Sequence, residues 1–105
     1  MNLSKLMSLK DRTALITGGN GYIARVIALT LAELGADLIL IDRPGSDYQK
    51  LIDEILNNFK VKVQTYDCDL GTQIERDRLI STISKKETKL NILINNAALG
   101  GTAKL

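Results

Sequence analysis

The chain has 105 residues, 45% of them hydrophobic and 25% charged, and 14 basic against 12 acidic side chains leave a net charge of +2. That is room for one ordinary globular domain burying roughly 60–70% of the unfolded chain's surface. Without a basic block, an apolar run of bilayer length or the apolar stretch of a secretory leader, neither nucleic acid nor a membrane is expected as a partner.

Residues 12–17 form the first predicted strand, and Ala14-Leu15-Ile16 reads as buried on both faces, as in a parallel sheet. Gly18-Gly19-Asn20-Gly21 follows at once. From Tyr22 a helical pattern runs through Ile23, Val26, Ile27, Leu31 and Leu34, with Gly35 placed to end it. Leu38–Ile41 reads as a second buried strand, closed by Asp42 and a Pro44-Gly45 turn. Ser46 or Asp47 suits the cap of a second helix, whose apolar face is Tyr48, Leu51, Ile52, Ile55, Leu56 and Phe59.

Val61–Tyr66 is the third predicted strand. Cys68 follows, the single cysteine, so no intrachain disulfide forms and a reduced cytoplasmic setting is expected. Asp67 and Asp69 on either side raise its thiol pKa, which argues against a nucleophile. A third helix runs from Thr72 to about Lys86 with Ile74, Leu79, Ile80 and Ile83 inward; Leu90–Ile94 is a fourth strand before Asn95-Asn96-Ala97-Ala98. The order βαβαβαβ with short connections implies right-handed crossovers and a parallel sheet of strand order 3-2-1-4. This is the first half of a doubly wound α/β sheet. Strand four would be left as an apolar edge, so residues 1–105 alone are expected to be poorly stable.

The chemistry lies in the turns after the strands. Glycines between strand one and the first helix let the backbone turn with positive φ and let a ligand approach the main chain. The helix start offers unpaired N–H groups and partial positive charge to a pyrophosphate. In the register G-x-G-x-x-G/A the small residues are Gly19, Gly21 and Ala24; the other reading is a glycine-rich turn without ligand. Asp42, at the end of strand two, suits the adenosine ribose hydroxyls, or is a turn residue. An acidic group there disfavours a 2′-phosphate, because two unit charges ~4 Å apart cost about 4 kcal/mol at an effective dielectric near 20. NAD is therefore expected over NADP. Arg43 can pair with a phosphate, stack on adenine or point into water.

These residues resemble the cofactor-binding half of a short-chain dehydrogenase/reductase over nearly all of residues 8 to 100. Thr17-Gly18-Gly19-Asn20-Gly21-Tyr22-Ile23-Ala24 is similar to that family's glycine segment. Tyr22 and Ala24 stand where the single-domain branch has glycines, and Ala24 departs from the extended branch. Cys68-Asp69-Leu70 resembles the Asp-Leu or Asp-Val whose carboxylate and following N–H meet the adenine, although Asp69 also suits a helix cap. Asn95-Asn96-Ala97-Ala98 resembles the single-domain branch's Asn-Asn-Ala-Gly, with a buried, backbone-satisfying amide pair as the structural reading.

The resemblance implies a Rossmann-type three-layer αβα domain, of which this chain is the N-terminal half. It implies cofactor contacts from Gly18, Asn20, Gly21, Tyr22, Ile23, Asp42, Arg43, Asp69, Leu70, Asn96, Ala97 and Ala98. The implied activity is NAD(P)-dependent oxidation of an alcohol or reduction of a carbonyl. No catalytic residue carries over, because Tyr22, Tyr48 and Tyr66 have Val26, Ile52 and Leu70 four residues on where the family's Tyr-x-x-x-Lys needs lysine. The acid/base residues, and any helices that build a homo-oligomer, are expected beyond residue 105. No metal site is expected. Two other classes stay open: a nucleotide-binding module without catalysis, and an S-adenosylmethionine-dependent methyltransferase, which Thr17 and the double asparagine disfavour.

Overall fold

The computed structural model describes residues 6–18, 21–86 and 89–96. Four strands, β1 (Thr13–Thr17), β2 (Asp37–Asp42), β3 (Val63–Asp67) and β4 (Ile92–Asn95), alternate with three helices, α1 (Tyr22–Glu33), α2 (Gln49–Asn58) and α3 (Gln73–Lys85). All strand pairs are parallel and the order is β3-β2-β1-β4, the expected half of a doubly wound sheet. The apolar runs of β1 and β2 make them its centre. Among the described residues no helix is long and apolar enough to cross a membrane.

Two cores lie on opposite faces of the sheet. Ala14, Ile16, Leu38 and Leu40 pack with α1 and with Tyr48, Leu51 and Ile55 at and along α2. Leu15, Ile39 and Ile41 meet Cys68 and Ile83, with Tyr66, Leu70 and Leu79 partly buried beside them. The helices therefore divide, α1 and α2 on one face and α3 on the other.

The helix faces differ from the sequence pattern in an informative way. In α1 the buried residues are Ala24, Ala28 and Ala32, at four-residue steps, whereas Ile23 and Val26 are exposed. Only methyl side chains let this helix lie close against β1 and β2 as it leaves the glycine turn. Size, not hydrophobicity, selects its inner face. Leu56 in α2 is likewise exposed, and in α3 Ile74 and Ile80 face outward while Ile83 is buried. α1 ends as the sequence implies, with Gly35 at φ +101°, where a Cβ would come within 3.3 Å of the Lys10 nitrogen. Asp47 accepts a hydrogen bond from the Gln49 N–H (2.9 Å) as α2 begins. The start of α3 is capped by Thr72, not Asp69: the Thr72 hydroxyl accepts from the Glu75 N–H (3.4 Å), and Glu75 Oε1 reaches back to accept from the Asp69 N–H (3.0 Å).

Candidate functional site

Because the strands are parallel, their C-terminal ends share one edge, where ligands of open α/β sheets bind. Thr17 and Asn95 stand opposite each other at the ends of β1 and β4, and Asp42 and Asp67 stand opposite at the ends of β2 and β3. The chain leaves β1 through Gly18, whose φ of +66° is a left-handed conformation that glycine adopts without strain. The Gly18 carbonyl accepts from the Gly21 N–H (3.1 Å), which closes a tight turn onto the start of α1.

Gly21 is the N-cap of α1, with no side-chain capping hydrogen bond and no acidic residue in the first turn. The first helical bond runs from the Arg25 N–H to the Gly21 carbonyl (2.9 Å), so the N–H groups of Tyr22, Ile23 and Ala24 precede the helical ladder. Those orphan donors and the helix dipole suit an anion. Tyr22 is 80% exposed and Ile23 60% exposed on either side of this start, while Ala24 is buried against the sheet. Gly19 and Asn20 lie outside the described residues.

At the end of β2, one oxygen of Asp42 accepts from the Arg43 N–H (2.7 Å), and the Asp42 carbonyl accepts from the Cys68 N–H (2.8 Å). The carboxylate is thus oriented by its own turn and tied to the loop after β3. Arg43 is exposed. In that loop Asp69 Oδ1 accepts from the Gly71 N–H (2.9 Å), and the Leu70 carbonyl accepts from the Arg76 guanidinium (2.6 Å). Cys68 is buried, and burial first, then Glu75 and Asp69, raise its thiol pKa, in keeping with a core residue.

The double asparagine acts differently from a buried amide pair. Asn95 is exposed and Asn96 half-buried. The Thr17 hydroxyl donates to Asn95 Oδ1 (3.1 Å) and accepts from the Asn96 N–H (3.0 Å), which fastens the end of β4 to the end of β1. Thr17 has no role of its own in the sequence reading, because the strand pairing that puts it beside Asn95 is invisible in one sequence. Ala97 and Ala98 lie outside the described residues. No group of three or more His, Cys, Asp or Glu among the described residues could hold a metal ion.

Residues 12–105 match the family model described as short chain dehydrogenase. A tropinone reductase homolog of Arabidopsis thaliana is 36% identical over a 101-residue alignment that covers 92% of this chain and 37% of that protein. The crystal structure of an NADPH-dependent 3-quinuclidinone reductase from Rhodotorula rubra superimposes with a TM-score of 0.75 at 27% identity, over 88% of this chain and 35% of that one. An NAD+-bound xylitol dehydrogenase gives 0.74 at 26% identity over the same 88% and 35%. The chain thus spans about a third of the length of such proteins.

Proposed function

The chain belongs to the short-chain dehydrogenase family of oxidoreductases, and from that premise we propose that it is the dinucleotide-binding part of a longer enzyme that moves a hydride between NAD and a small-molecule alcohol or carbonyl. One observation carries this reading: Gly18, in left-handed backbone, delivers the chain to an uncapped helix start one strand away from Asp42. Neighbours of this fold include both NADP-type and NAD-bound enzymes, so the preference for NAD rests on Asp42.

The roles we assign combine the turn geometry with the family resemblance. Gly18 and Gly21 keep side chains out of the pyrophosphate's path, and the first N–H groups of α1 donate to its oxygens. Tyr22 and Ile23 would flank it, and Asn20 is assigned to the same contact by the family resemblance alone. Asp42 would accept from the ribose hydroxyls, and the hydrogen bond from the Arg43 N–H holds its carboxylate in place; the exposed Arg43 would stack on the adenine. Asp69 and the Leu70 N–H would meet the adenine edge and Asn96, at the end of β4, the other ribose; Ala97 and Ala98 are assigned to the same ribose by the family resemblance alone. The nicotinamide, when bound, supplies the hydride acceptor or donor. A hydride transfer also needs a positioned proton donor, and we assign that group to the enzyme beyond this chain, since none of its tyrosines has a lysine four residues on.

Titration of the full-length protein with NAD, NADP and S-adenosylmethionine tests this. NAD is expected to bind most tightly, and Asp42→Ala to lower the NAD/NADP preference at least tenfold, as loss of a charge-assisted hydrogen bond and a phosphate-repelling charge implies. Binding of S-adenosylmethionine alone, or an unchanged preference in Asp42→Ala, overturns it.

A further inference from the structure

The ribose site just proposed contains Asp42, but the fold sets two more polar groups beside it. Asp42 and Asp67 are directly in register on neighbouring strands. Side chains alternate across a sheet, and Leu38, Leu40 and Val63 lie on the face covered by α1 and α2. Two and four residues on, Asp42 and Asp67 therefore present to that same face, on strands about 4.8 Å apart. Like charges so placed repel and weaken the pairing. Asp42 has a donor in the Arg43 N–H (2.7 Å), whereas no hydrogen bond or ion pair of the Asp67 side chain occurs among the described residues.

A third group points to the same place. Tyr48, at the start of α2, is only 7% exposed, and its phenol oxygen is the one buried side-chain oxygen or nitrogen among the described residues without a hydrogen-bond partner. It belongs to the core of the α1/α2 face. Burial above all, then the charges of Asp42 and Asp67, hold its pKa well above the usual tyrosine value, which puts the hydroxyl within reach of both fields. A buried hydroxyl without partner costs stability, and two carboxylates abreast cost more. Both make sense where a ligand completes the set.

We propose that Asp67 is a second specificity determinant of the adenosine ribose site, a carboxylate abreast of Asp42 that excludes a 2′-phosphorylated cofactor, with the Tyr48 hydroxyl as the buried donor beneath the pair. The inference rests on the ribose role of Asp42. Asp42 accepts from the ribose hydroxyls, so it cannot by itself repel every position of a phosphate. Asp67 closes the neighbouring side with a second negative charge, against which Arg43 is the adjacent cation in the chain.

The test is the ratio of NAD to NADP dissociation constants for the full-length protein and its Asp42→Asn, Asp67→Asn and Asp67→Glu variants, each at low and high salt. Asp67→Asn is expected to shift the ratio toward NADP by about three- to tenfold at low salt and less at high salt, as a through-space charge does. Asp67→Glu, which keeps the charge, is expected to keep the ratio, a rescue that a merely structural role would not show. If Asp42→Asn shifts the ratio and Asp67→Asn does not, this inference fails and the ribose reading stands. If neither shifts it, the ribose reading fails and takes the inference with it.

Discussion

The two faces of the sheet are built from alternate residues of the same strands, yet they end in different states. On one, Ile16, Leu38 and Leu40 are sealed beneath α1 and α2. On the other, α3 alone covers Leu15, Ile39 and Ile41, and an open cavity of about 440 Å³ lies beside it, lined by Leu15, Ile41, Leu79, Ile83 and Leu90 among others. Leu93 of β4 is 67% exposed on this second face, and Ile80 of α3 63%. A strand that is apolar throughout needs cover on both sides; the described residues complete one side only. The cofactor edge, by contrast, is set by strand ends and turns and depends little on which face is finished.

Truncations on the two faces sharpen that contrast, read by denaturant melts of the full-length protein. Ile16→Ala is expected to cost about 3–5 kcal/mol, as for a large aliphatic in a closed core. Leu93→Ala is expected to cost about 2–3 kcal/mol there, in spite of its 67% exposure among the described residues, as the proposed longer enzyme implies by covering this face. A neutral Leu93→Ala would mean that the face stays open. On the same proposal, residues 1–105 alone are expected to melt without a cooperative transition.

A smaller effect probes the single polar flaw of the sealed face. Tyr48→Phe removes a buried hydroxyl without partner and is expected to stabilise the cofactor-free protein by about 1 kcal/mol at neutral pH. The sign of its pH dependence follows from the raised phenol pKa. The fold favours the protonated phenol, so its contribution is intact below the unfolded value of about 10 and is lost as pH rises toward the folded value. Tyr48→Phe should therefore also soften the alkaline fall in stability. A destabilised variant at neutral pH would show that the hydroxyl has a partner in the free protein.

Much of this architecture is legible in the sequence. Continuous apolar runs such as Leu38–Ile41 and short connections leave little choice but a parallel sheet, and its order is that of the doubly wound half that the pattern resembles. The inner face of α1 is only partly legible from hydrophobic period: Ile27 and Leu31 pack against the core as that pattern expects, whereas Ile23 and Val26 are exposed and the fully buried positions are Ala24, Ala28 and Ala32. At the candidate site, Gly18, Gly21 and Asp42 stand out because turn geometry and chemistry each ask for a particular residue type. Thr17 and Asp67 do not, because their roles come from register with Asn95 and Asp42, and register is a property of paired strands. Asp69 suits a helix cap in sequence as well as the adenine contact, and the cap is supplied instead by Thr72 and Glu75, which leaves Asp69 in a turn of its own.

The central claim is that a dinucleotide lies across the C-terminal ends of these strands, with its pyrophosphate on the start of α1. Amide hydrogen exchange of the full-length protein, with and without saturating NAD, tests it most directly. Protection is expected at Gly18 and through Gly21–Arg25, at Asp42–Arg43 and at Cys68–Leu70, and not along α3 or the Leu93 face. Protection confined to residues away from these three turns, or none at all under saturating NAD, would contradict it.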